Sequence, residues 1–80
     1  MPWNDVPGVY IFAKLDGGYW RALYIGQTAS LSQRLSGHER WNEAVRLGAT
    51  HVHTLVEYTG LRRIGVEASL IESFRPPLNN

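Results

Sequence analysis

Eighty residues make one domain, residues 1–80, and a domain of that size buries only about 60% of the surface its unfolded chain exposes, so its core is thin. The chain has no cysteine, which excludes disulfide staples and thiolate metal sites and fits a reducing, cytoplasmic setting; it also has no secretory signal and no apolar stretch of about 18 residues to span a membrane. A net charge of +1 argues against tight, autonomous binding to duplex phosphates, although seven of the eight cations are arginines, whose planar forks suit phosphate. A GC-rich genome explains the same bias equally well.

Met1 to Val6 is a short polar lead containing Trp3, with no assigned role. Pro7 cannot donate to a β-ladder, so the first strand starts after it and runs to about Leu15. Asp16-Gly17-Gly18 reads as a hairpin turn, and the second strand runs from about Tyr19 to Gly26. Alternation puts Tyr10 with Phe12 on one face, and Trp20, Ala22 and Tyr24 together on one face. Each strand carries a tyrosine beside a glycine, and such a glycine leaves room for a backbone or ligand to approach. Taken alone, Tyr10 and Tyr24 read more simply as core residues.

Gln27-Thr28-Ala29 crosses to a helix that begins near Leu31, because Ser30 followed by Gln33 is a capping box. In one helix Arg34 and His38, spaced i and i+4, stack on one face, with Gly37 weakening the end. A second helix covers Arg40 to Leu47 with Trp41, Ala44, Val45 and Leu47 facing inward, and stops at Gly48. Thr50 to Tyr58, rich in β-branched residues, is a third strand. Leu61 to Phe74 is the last helix, ended by Pro76-Pro77, and Leu78-Asn79-Asn80 is a tail able to return toward the sheet. The order β-β-α-α-β-α predicts an α+β fold with a small three-stranded sheet and helices packed against it.

Ile64, Glu67, Leu70, Ile71 and Phe74 fall on one helical face. A carboxylate in an apolar stripe needs a cation or a metal, or an edge position that reaches water. An ion pair with Arg34 or Arg63 satisfies that need as well as a metal does. His51 and His53 form a His-x-His on one strand face, but no third ligand is evident, so they read as exposed strand residues. The Asn79 amide is placed either to meet a phosphate or to anchor the tail, the anchor being favoured.

Gly8-Val9-Tyr10, then Tyr24-Ile25-Gly26, then Leu31 to His38, then Glu67 and Asn79, form an ordered set that resembles the GIY-YIG nuclease family over Pro7 to Asn79. It looks most like the small stand-alone bacterial and phage members. The resemblance implies an antiparallel sheet and a metal-dependent endonuclease that hydrolyses DNA phosphodiester bonds. It implies Tyr10 as general base, Tyr24 as a hydrogen-bonding partner of phosphate or water, and Arg34 as the cation on the scissile phosphate. His38 would orient the water or relay its proton, and Glu67 would hold one Mg²⁺ or Mn²⁺. Gly26, Gln27 and Asn79 would line the substrate side. The position of Gln27 is often lysine in the family, so one cation near the phosphate is missing. The hairpin tip between Tyr10 and Tyr24 is also a few residues longer than usual, which a tip tolerates. The expected partner is DNA, bound weakly by the lone domain, with a homodimer or a targeting subunit as ways to gain affinity. The alternative is a GIY-YIG-like module without catalysis that binds nucleic acid or protein.

Overall fold

The computed structural model describes residues 5–79, and Trp3 lies outside them. The first two strands, β1 (Gly8–Asp16) and β2 (Tyr19–Thr28), form an antiparallel hairpin. Its two-residue turn places Gly17 at φ 59° and Gly18 at φ 85°, and two consecutive positive φ values suit the right-handed twist of the flanking strands. A third strand, β3 (His51–Val56), pairs antiparallel with β1, giving the order β2-β1-β3. Between β2 and β3 lie α1 (Leu31–Leu35) and α2 (Glu39–Arg46), and after β3 comes α3 (Gly60–Phe74). Both the antiparallel sheet and the expected order of elements are present.

Four details differ from the expected arrangement. The β1–β2 register shifts between Phe12, opposite Tyr24, and Ala13, opposite Ala22. Leu23 is thus an extra residue, a β-bulge, and it reverses the alternation. Tyr24 therefore joins Tyr10 and Phe12, with ring centroids 6.2 and 5.8 Å away, while Trp20 packs on His51 and His53 at 4.8 and 4.5 Å. The shared face of Trp20 and Tyr24 is corrected accordingly.

The helix after the hairpin is also shorter than expected. Ser30 caps it as anticipated, accepting a bond from the Gln33 N–H at 3.3 Å, but it ends at Leu35. Ser36 and Gly37 turn the chain, and His38 becomes the N-cap of α2. Arg34 and His38 thus do not share one helix.

The core is centred on Tyr10, Phe12, Leu23, Leu31 and Ala44, with Tyr24, Leu35, Trp41, Val52 and Leu78 half-buried around it. Val45 of α2 and its C-cap residue Leu47 are exposed, contrary to expectation, because one turn of α2 at Trp41 and Ala44 supplies its contact with the core. α3 lies chiefly against β2 and buries no residue fully. Leu70 and Ile71 are half-buried, whereas Ile64 is 54% and Phe74 57% exposed. The apolar stripe of α3 is thus narrower than its periodicity suggests, since a three-stranded sheet offers a short platform to a 15-residue helix. No helix among the described residues is long and apolar enough to cross a membrane.

Candidate active site

Tyr10 sits in the central strand, 1% exposed, with its ring laid across Gly26 of the neighbouring strand. Its hydroxyl is 2.7 Å from His38 Nε2. The cap bond fixes which partner donates. His38 Nδ1 accepts from the Arg40 backbone N–H at 3.0 Å, so in the neutral ring the proton sits on Nε2 and is given to the Tyr10 oxygen. Burial lowers the His38 pKa, and the Arg34 charge adds to this. Protonating Nδ1 would also break the cap bond.

Burial pushes the Tyr10 phenol up to about 12; the Arg34 guanidinium pulls the other way, and the charges of Tyr24 and Glu67 add to the rise. Arg34 itself is engaged with Glu39, its two amino groups each 3.2 Å from a carboxylate oxygen. That bond raises the Arg34 pKa still further and holds the exposed Glu39 carboxyl down at about 2. Glu39 was not anticipated: five residues from Arg34, it has no helical spacing to it, and only the break at Ser36-Gly37 brings the two together.

Glu67 is half-buried on α3. Burial raises its pKa, and the Gln27 backbone N–H offsets part of that. Neither expected cation pairs with it: Arg34 is taken by Glu39, and Arg63 donates to the Gln27 side chain and to backbone carbonyls. Among the described residues Glu67 has no ion-pair partner and no set of three His, Cys, Asp or Glu side chains surrounds a common point. A lone carboxylate nonetheless suits Mg²⁺, which keeps several waters and takes one or two protein carboxylates together with substrate phosphates.

The remaining anticipated residues are placed as follows. Gly26 leaves room, but Tyr10 fills it. Gln27 is half-buried and accepts from Arg63 Nε at 3.2 Å. Asn79 spends both ends of its amide on one residue of the β2 edge: Oδ1 accepts from Ile25 N–H and Nδ2 donates to Ile25 C=O, each at 2.8 Å. That is the anchoring arrangement, and it leaves the amide engaged rather than open to a phosphate. His51 and His53 are exposed and stand away from this cluster, edge-on to Trp20.

Comparison with known proteins finds relatives that share this fold. The magnesium-bound GIY-YIG N-terminal endonuclease domain of UvrC from Thermotoga maritima superposes with a TM-score of 0.72 at 34% identity, over 91% of this chain and 82% of that one. The chain belongs to the GIY-YIG family. A point mutant of the same UvrC domain, also bound to its catalytic divalent cation, gives a TM-score of 0.73 at 32% identity, over 91% of this chain and 81% of that one. UvrABC system protein C from Methanothermobacter thermautotrophicus is 33% identical over 94% of this chain, which spans only 13% of that protein's length. No family model matches the chain. In this GIY-YIG domain His38 is hydrogen-bonded to the Tyr10 hydroxyl and Tyr24 packs beside the Tyr10 ring.

Proposed function

We propose that this GIY-YIG domain is a divalent-metal-dependent endonuclease that hydrolyses DNA phosphodiester bonds in the cytoplasm. The observation that carries the reading is a buried phenol hydrogen-bonded to His38 in a chain of the GIY-YIG family, together with a half-buried carboxylate, Glu67, that has no ion-pair partner among the described residues. Glu67 would hold one Mg²⁺ or Mn²⁺; when bound, the ion supplies Lewis-acid polarisation of a phosphoryl oxygen. The UvrC domain it resembles is bound to a catalytic divalent cation, magnesium, which supports that assignment.

Tyr10 is the base that takes the proton of the attacking water. At about 12 its phenol is protonated at neutral pH, so the phenolate must be favoured in the loaded site. Two groups can stabilise it, the His38 Nε2–H and the Arg34 guanidinium. Offsetting the Glu67 charge removes one of the causes that raise the pKa. His38, whose Nε2 already carries a proton, steadies the phenolate as a donor, so the phenol's own proton leaves to solvent before Tyr10 takes the proton of the water. Arg34 would meet charge developing on the phosphate in the transition state by turning at least one amino group from the exposed Glu39 carboxylate to a phosphoryl oxygen. Tyr24 positions the water or phosphate, and Asn79 acts as a positioning residue by fixing the β2 edge at Ile25.

With a net charge of +1, the lone domain should bind an arbitrary duplex no better than the non-specific range of about 10⁻⁴–10⁻⁶ M. A targeting subunit, a second copy or a longer chain would then supply affinity. The test is incubation of the purified protein with supercoiled plasmid and with branched DNA, in Mg²⁺, Mn²⁺ or EDTA. Nicking or linearisation with either metal and none in EDTA is expected. Binding without cleavage in either metal would replace the enzyme by a non-catalytic binding module.

A further inference from the structure

Arg63 and Glu67 stand one helical turn apart on α3, a spacing at which an arginine and a glutamate can pair. They do not pair here. Arg63 Nε donates to Gln27 Oε1 at 3.2 Å, and Nη1 donates to the Glu57 and Tyr58 carbonyls at 3.2 Å each. All three acceptors are neutral, so the guanidinium is fixed in place without losing its charge. Arg34 and Arg40, by contrast, are each neutralised by a carboxylate at 3.2 and 3.0 Å. The second amino group of Arg63, Nη2, has no hydrogen-bond partner among the described residues. The diversion has two effects at once: it leaves the Glu67 carboxylate free, and it holds an uncompensated cation beside Gln27, whose backbone faces Glu67.

We infer that Arg63 is a substrate-binding residue whose Nη2, lying near Gly60 at the start of α3, takes a non-bridging oxygen of a nucleic-acid backbone phosphate on the Gln27 side of the site, supplying the cation that Gln27 lacks. The inference rests on the nuclease reading above. Gln27 serves as the holder: its side-chain oxygen sets the plane of the guanidinium, and a lysine at the same position would reach the same space with its own charge.

The test compares wild type, Arg63→Gln, Arg63→Lys and the double variant Arg63→Gln with Gln27→Lys. Affinity for a labelled duplex is read by fluorescence anisotropy in EDTA across a range of low salt concentrations, with thermal melts to confirm folding. Each phosphate contact contributes about 0.9 to the slope of log K against log salt. Arg63→Gln should lower the slope by about 0.9, Arg63→Lys should keep it, and Gln27→Lys should restore it in the double variant. An unchanged slope in Arg63→Gln overturns the inference. So does an equal loss in Arg63→Lys, because the guanidinium would then be only a tether between α3 and the ends of β2 and β3. Cleavage of plasmid by the wild type in Mg²⁺ is scored separately, so failure of the nuclease reading is distinguishable from failure of the Arg63 assignment.

Discussion

The ring of Tyr10 occupies the space that a side chain would take at Gly26. A Cβ built at position 26 would overlap the Tyr10 Oη and Cζ atoms and lie 3.0 Å from Cε1. The two residues face each other across the β1–β2 ladder, so neither backbone can yield without breaking the pairing. The glycine of the second motif is thus a requirement of the tyrosine of the first. Gly8 is confined in a similar way, since a Cβ there would come within 2.6 Å of the Leu55 carbonyl oxygen on β3.

Gly26→Ala is therefore expected to destabilise the fold by about 1–3 kcal/mol, the usual cost of overpacking, and to displace the Tyr10 hydroxyl from His38. For a domain of this size each kcal/mol lowers Tm by about 4–8 °C. Thermal melts and plasmid cleavage measured together check this. A variant that melts and cleaves like wild type would show that Tyr10 can move aside at no cost.

Tyr10→Phe removes one hydroxyl and with it the acceptor of the His38 Nε2–H. The ring still packs on Phe12 and Tyr24, so the fold should persist. A buried donor left without a partner costs about 1–3 kcal/mol, so the variant should melt below wild type while keeping its circular dichroism. Cleavage should be lost. Cleavage at the wild-type rate would remove Tyr10 from the role of base.

Much of this arrangement was legible in the chain. Strand and helix order followed from the Asp-Gly turn, the Ser30 cap, the β-branched run before Tyr58 and the Pro76 stop. The bulge at Leu23 was not legible, because nothing in an apolar strand marks which residue will be left unpaired. The Arg34–Glu39 pair and the role of His38 as a helix cap were hidden for a related reason. Both depend on Ser36-Gly37 breaking one helix into two, and a Gly near a helix end can weaken a turn or terminate it. Burial along α3 was overestimated, since periodicity shows which residues share a face but not how much sheet lies beneath it.

The pH dependence of stability should have two limbs. The His38 pKa is lower in the folded protein than its ordinary 6.5, so the unfolded chain binds the proton more readily. Stability from this residue is fully present above 6.5 and falls as pH drops from there toward the folded value. Tyr10 has the opposite sign: its pKa rises from 10.0 to about 12, so its contribution is present below 10 and is lost as pH climbs toward 12. Asparagine is a good N-cap and does not titrate, so His38→Asn should flatten the acid limb below pH 6.5. Urea melts of both proteins at a series of pH values measure this. An acid limb equally steep in His38→Asn would assign it to the carboxylates instead.

The last expectation concerns Glu67. Its carboxylate has lost part of its hydration on α3, and the cations that might have compensated it are engaged elsewhere, Arg34 with Glu39 and Arg63 with Gln27. Without metal the charge is thus a burden on the fold rather than half of a stabilising pair. Glu67→Gln keeps the shape and removes the charge. In EDTA it should melt at the wild-type temperature or above, and in Mg²⁺ it should not cleave. The same substitution in a buried ion pair would cost about 3–5 kcal/mol, because the orphaned cation would remain inside. A Tm well below wild type in EDTA would therefore mean that Glu67 has a cationic partner in solution. Mg²⁺ supplies the second comparison. A ligand that binds only the folded state stabilises it by RT ln(1 + [L]/Kd), so wild type should gain stability as Mg²⁺ rises above its Kd while Glu67→Gln gains none. Equal gains in both proteins would place the ion on other groups and remove Glu67 as its ligand.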